Sequence, residues 1–181
     1  SSSTVTLSNT VNAVNDAPVA SGSATLTAID EDTANPSGAT VSSLFSSNFS
    51  DSTDTVSGGS SANTLAGIAI TSYTRDATKG EWQYSTNGSS WTTIGSSISA
   101  ASSSLTFKST DYLRFLPAAN WNGSAPTLTV ALIDSSTTVT TNATVDVSTR
   151  GGTTAYSSST VTLSNTVNAV NDAPVASGSA T

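Results

Sequence analysis

The sequence predicts an all-β fold, a β-sandwich with a long inserted loop, set in a tandem array. Three observations carry this reading. Ser1–Thr25 reads SSSTVTLSNTVNAVNDAPVASGSAT and Ser157–Thr181 repeats the same 25 letters at an offset of 156 residues, and self-similarity at a fixed period is the signature of a repeat protein. Apolar residues recur at strand period, as in Val5 and Leu7, Ile68 and Ile70, Leu128, Val130 and Leu132, and Val145 and Val147, with Thr or another small residue between them. Turns rich in Gly and Asn separate these runs at short intervals, the spacing of a sandwich.

Taken in order, Val11 to Ser23 reads as a linker and Thr25 to Ile29 as a first strand. A long loop over Asp30–Ala62 follows, with one turn of helix expected in Ser42–Phe49 from the spacing of Leu44, Phe45 and Phe49. Strands are then expected over Leu65–Tyr73, Glu81–Ser85, Trp91–Ile94, Leu105–Phe107, Tyr112–Leu116, Thr127–Ile133, Ala143–Val147 and Ser159–Val167. Thr86-Asn87-Gly88-Ser89 predicts a hairpin, because Asn-Gly supplies the positive φ of a tight turn. Arg150-Gly151-Gly152 predicts a second, joining Val145–Val147 to Tyr156. The three tryptophans, Phe107 and Phe115 are the expected core anchors.

The period divides the chain into 1–19, the end strand and linker of a preceding repeat; 20–170, one complete repeat; and 171–181, the linker and start of the next. The chain contains no Met and reads as a piece of a longer array. A unit of this length buries about 70% of its unfolded surface, so it needs no staples. Neither His nor Cys is present, which removes the commonest acid-base residue, the commonest transition-metal ligand and any thiolate nucleophile. No enzyme is expected, and no small-molecule substrate. A net charge of −7 with only five bases argues against nucleic acid and anionic membranes, both of which require clustered Lys and Arg. No apolar run is long enough for a membrane helix.

Phe115-Leu116-Pro117-Ala118-Ala119-Asn120-Trp121-Asn122-Gly123, followed by Thr127–Val130 and Asp134, resembles the F-x-P-x-x-N-aromatic-N-G, strand, D pattern of bacterial cadherin-like and VCBS-type repeats. Val14-Asn15-Asp16-Ala17-Pro18-Val19 and Glu31-Asp32-Thr33 resemble the linker and the first-strand motif of the same repeats. The resemblance implies an Ig/cadherin-like sandwich from a large secreted, adhesin-like protein of the bacterial cell surface or an extracellular filament. It also implies calcium at the junctions between domains, with Asn15 and Asp16, their copies Asn171 and Asp172, and Glu31 as ligands. This unit is longer than such repeats, the excess lying mainly between Asn35 and Ala62 and between Trp82 and Ser104.

Calcium takes six to eight oxygens, and the acids here are clustered: Asp30, Glu31 and Asp32 in one run, Asp51 and Asp54 in another, with Asp16 or Asp172 in the linker. The competing reading is a solvated acidic loop and a stiff Asn-Asp-Ala-Pro turn. Asp134 at a strand end reads first as a turn residue. The partners expected are neighbouring copies of the same repeat, in a stalk or a filament. One body has room for a single copy of the repeated strand. The N-terminal copy, Thr4, Val5, Thr6 and Leu7 with Val11, is therefore expected to pair with a neighbouring repeat by strand addition. The alternative function is an adhesive or carbohydrate-binding module that uses exposed aromatics.

Overall fold

In the computed structural model, which describes residues 2–175, 177 and 178, the protein is all-β apart from one short α-helix and three 3₁₀ turns. In chain order, β1 (Val19–Ala20), β2 (Ser23–Thr25), β3 (Ile29–Asp30) and β4 (Ala39–Thr40) lead into helix α1 (Val41–Phe45) and β5 (Phe49–Ser50). The body continues through β6 (Leu65–Tyr73), β7 (Gly80–Ser85), β8 (Thr92–Thr93), β9 (Ser104–Lys108) and β10 (Tyr112–Pro117). It closes with β11 (Gly123–Ser124), β12 (Leu128–Asp134), β13 (Ala143–Val145), β14 (Tyr156–Ser164) and β15 (Thr166–Asn168).

A six-stranded sheet in the order β13-β9-β6-β12-β14-β2 and a four-stranded sheet in the order β4-β10-β7-β8 form the bulk of the protein. Ile68, Ile70, Phe107, Leu128, Val130, Leu132, Val161 and Leu163 from the first share one buried cluster with Trp82, Leu113 and Phe115 from the second. Register follows from this burial. Ile70 opposes Val130 and Ile68 opposes Leu132, so apolar side chains line one face together, and a slip of one residue would turn them outward. The Trp82 and Phe115 rings meet edge to face at 5.5 Å, and the Trp82 indole N–H donates to the Pro126 carbonyl at 2.6 Å, satisfying its polar atom.

The intervening residues of β6 and β12 are not solvated as alternation predicts. Ala69, Ala131 and Ile133 are buried as well, because Val139 and Val147 from the excursion around β13 cover the outer face of the sheet. Alanine at 69 and 131 leaves room on that face.

Two local expectations need correction. The segment 25–29 is not one strand: β2 pairs in parallel with β14 and β3 in parallel with β15, in different sheets. Asn165 bridges the break, its side-chain amide donating to the Leu26 and Thr27 carbonyls at 3.3 and 2.9 Å. Arg150-Gly151-Gly152 does not close a hairpin, since β13 pairs with β9 at the far edge from β14. The Asn87-Gly88 turn does join paired strands, with Tyr84 opposite Thr92. Its loop is longer than two residues and is organised by the Ser85 hydroxyl and the Asn87 side chain, which accept from backbone N–H groups of residues 87–90. The predicted long loop contains the expected helical turn, capped by the Thr40 hydroxyl accepting from Ser43 N–H at 3.1 Å.

Candidate functional site

Sequence reading groups eight residues around a calcium site, and the structure divides the six that precede the second linker copy between two places. Asn15, Asp16, Asp51 and Asp54 come together where the chain enters the body. Asp16 N–H donates to Asp54 Oδ1 at 2.8 Å, and Ala17 N–H donates to the Gly152 carbonyl at 2.7 Å. The Asn15 amide donates to the Thr154 carbonyl at 3.2 Å and to Asp134 Oδ2 at 3.4 Å. Asn63 is the hub that sequence reading missed. Its amide donates to Asn15 Oδ1 at 2.8 Å and to Asp54 Oδ2 at 3.0 Å, while its backbone N–H donates to Asp51 Oδ2 at 2.6 Å.

Asp134 joins the same group and is fully buried. It does act as a turn residue, with Oδ1 accepting from Ser136 N–H at 2.8 Å, but its other oxygen faces the linker. Asp51 and Asp54 are buried too, and neither Lys nor Arg pairs with any of the three carboxylates among the described residues. Burial pushes the Asp51 carboxyl above the ordinary carboxylate range, and the charges of Asp54 and Asp134 push the same way. Asp51 Oδ1 is buried with no hydrogen-bond partner. Beside the cluster lies an open cleft of about 230 Å³ bordered by Val14, Asn15, Asp54 and Asn63.

Glu31 and Asp32 do not join this group. Glu31 Oε1 accepts from Val170 N–H at 2.7 Å and Oε2 from the Asn122 amide at 3.2 Å, while Glu31 N–H donates to the Asn168 carbonyl. Asp32 Oδ1 accepts from Asn120 N–H at 2.8 Å, and both residues hold positive φ, 61° and 54°, which Asp and Asn tolerate best after Gly. Two of the three motifs that carry the family resemblance thus touch each other at the chain's exit. Asp134 is tied to Ala155 and Glu31 to Asn168, so the two groups sit at opposite ends of the β14–β15 run. At strand rise that separates them by roughly 40 Å, too far for one ion.

No family model, curated protein or solved structure matches this chain. The site is therefore judged on its own geometry. Among the described residues no three His, Cys, Asp or Glu side chains are gathered tightly enough to hold a metal ion. The reason is visible at the entry cluster, where the Asn15 and Asn63 amides lie between the carboxylates and donate to them. Asp51 Oδ1 is the one buried carboxylate oxygen of the cluster that these amides leave without a partner.

The repeated segment occupies two unlike environments. In β14 and β15, Val161, Leu163 and Val167 are 0%, 0% and 2% exposed, whereas their sequence-identical counterparts Val5, Leu7 and Val11 are 94%, 96% and 89% exposed. Residues 2–18 form no strand. Thr4–Val14 is not packed beside residues 160–170 of its own body. Asn171 repeats the local geometry of Asn15, each amide donating to the next residue's carbonyl at 3.1 Å, so the linker turn forms with or without a body to dock on.

Trp82 is buried and contributes to no surface, and no aromatic side chain is fully exposed among the described residues. Trp91 and Trp121 are half-buried, Trp121 lying edge-on to Phe115 at 6.2 Å.

Proposed function

We propose that this chain is a non-catalytic structural repeat of a large extracellular surface protein, whose Ig/cadherin-like sandwiches join end to end into a stalk or fibre. The observation that carries the reading is the pair of environments of one sequence. Residues 157–168 complete the body they follow, and residues 1–12, the same stretch of sequence, are the closing strands of the body before. Their exposed valines and leucine are buried when that neighbouring repeat is present.

The two ends of the unit also fit one another as a junction. Val170 is held by Glu31 of the body it leaves, while Asn15 and Asp16, the equivalents of Asn171 and Asp172, are held by Asp54, Asn63 and Thr154 of the body they enter. The grip passes from one body to the next at consecutive residues, leaving no free hinge. Calcium would be held at the entry cluster by Asp51, Asp54 and Asp134, beside which Asn15, Asp16 and Asn63 lie. Such an ion neutralises carboxylates that otherwise repel one another.

Hydrogen exchange tests the array. Residues 4–14 should exchange freely in this chain and become as protected as residues 160–168 in a protein with one further repeat ahead of them. Free exchange in both proteins would refute end-to-end closure. The metal is tested separately by thermal unfolding with calcium and with chelator. A rise in Tm that Asp54→Asn or Asp134→Asn abolishes supports the ion, and no rise leaves a metal-free junction.

A further inference from the structure

A second feature, independent of the junction, lies on the four-stranded sheet. Arg114 in β10 is 94% buried, at 6% exposure, and has no carboxylate partner among the described residues. Its Nε–H donates to Gln83 Oε1 at 2.8 Å, and Nη1 donates to Asn35 Oδ1 at 2.6 Å and to the Pro36 carbonyl at 3.1 Å. The Gln83 amide is oriented in turn by the Thr93 hydroxyl at 3.3 Å. A guanidinium has five N–H donors. Three are taken by neutral acceptors, and Nη2 has no hydrogen-bond partner among the described residues.

The guanidinium lies 4.2 Å from the centre of the Trp91 ring. A cation–π contact contributes about 0.5–2 kcal/mol, whereas desolvating one ion costs several, so the ring alone does not compensate the buried charge. Desolvation accordingly pulls the Arg114 pKa below its ordinary value. Trp91, Tyr112 and Arg114 border one open cleft of about 270 Å³, with residues 35–37 along its rim. Two glycines set its walls. A Cβ on Gly38 would lie 2.2 Å from Trp91 Cη2, and one on Gly88, at φ +71°, would lie 3.3 Å from Tyr112 Cζ. Both rings are half-buried, so each keeps part of its surface toward solvent.

We propose that this cleft binds a carboxylate-bearing pyranose, with the acid on Arg114 Nη2 and the sugar ring against Trp91 and Tyr112. The chemistry selects this class. A planar, preorganised guanidinium favours carboxylate, aromatic rings favour the apolar face of a sugar over a small inorganic anion, and the volume falls just below the ~300–1,000 Å³ of drug-sized sites, room for a single ring. The net charge of −7 opposes long-range attraction of anions, so each site is weak. An array would present the same cleft once per repeat, and multivalency raises weak affinities by roughly 10²–10⁴-fold where the geometry lets sites engage together.

The test is tryptophan fluorescence and amide NMR titration of the whole chain with glucuronate, galacturonate and N-acetylneuraminate, with glucose and acetate as controls. At least one acidic sugar should bind saturably in the millimolar range, about 10-fold or more tighter than glucose or acetate. The shifts should centre on residues 35–38, 88–91 and 112–114. Tyr112→Ala, which leaves the buried arginine in place, should weaken binding several-fold, and Arg114→Gln should remove the preference for acid over neutral sugar if it folds. Equal binding of glucose, equal binding of acetate, or no saturable shift with any acidic sugar would each overturn the proposal.

Discussion

Replacing one leucine at two places tests whether identical sequence is distinguished by burial alone. Leu163 is fully buried in β14, and Leu7, with the same neighbours on both sides, is 96% exposed. Because the flanking residues match, changes in the unfolded chain nearly cancel between Leu163→Ala and Leu7→Ala. What remains is burial. A buried Leu→Ala costs about 2–5 kcal/mol from lost transfer energy and the cavity left behind. At about 3 kcal/mol, and ~2–4 °C per kcal/mol for a protein of this size, Tm should fall by about 6–12 °C. Leu7→Ala should stay within about 0.5 kcal/mol, or ~2 °C. Urea unfolding and calorimetry of the two variants read this directly. Equal losses, or a larger loss for Leu7→Ala, would mean that the N-terminal copy fills a slot in a body, its own or a second molecule's, and would refute the assignment of β14.

Asp51 should make stability depend on pH with a definite sign. Its folded pKa is raised by burial first and by Asp54 and Asp134 next, so the folded state binds the extra proton, and Asp51's contribution weakens stability as pH climbs through the shifted range. Without calcium, Tm of the native chain relative to Asp51→Asn should therefore fall as pH rises from the ordinary Asp range near about pH 4, and a flat difference would contradict the burial. Saturating calcium should remove that fall, because a bound cation favours the charged carboxylate. Asn165→Ala should cost about 1–3 kcal/mol, since it strips partners from the Leu26 and Thr27 carbonyls; denaturant unfolding checks it, and a neutral result would show that water replaces the bridge.

The main strands were legible because Ile68, Ile70, Leu128, Val130 and Leu132 alternate cleanly and Asn or Gly marks the turns. The second buried layer left a fainter trace. Ala69 and Ala131 stand where exposed strand positions favour Thr, and small residues at outward positions are the signature of a covered sheet. The crossing of 146–155 over the sheet was not legible, because a Gly-Gly turn looks the same whether its flanks pair with each other or leave for opposite edges. At the site, Asn15, Asp16, Asp51 and Asp54 were recognisable as acidic clusters and linker. Asn63 was not, since one asparagine in the run Ser60-Ser61-Ala62-Asn63-Thr64 carries no pattern. Glu31 reads as part of the same site because sequence distance says nothing about which end of a roughly 40 Å strand run a loop returns to. Arg114 could have been noticed as a cation inside Tyr-Leu-Arg-Phe-Leu, a run otherwise destined for the interior.

The parallel pairing of β2 with β14 and β3 with β15 bears on what happens under load. The chain enters beside β2 and leaves beyond β15, so tension applied through its two ends drags these partners past each other along their length. Thr162 with Ser23, Leu163 with Ala24, Ser164 with Thr25, Val167 with Ile29 and Asn168 with Asp30 are then strained simultaneously instead of parting one after another like a zipper. Asn165, clasping Leu26 and Thr27 across the gap, adds its share in the same direction. A load carried through the two ends would meet its greatest resistance at these paired strands, before the interior of the unit is exposed.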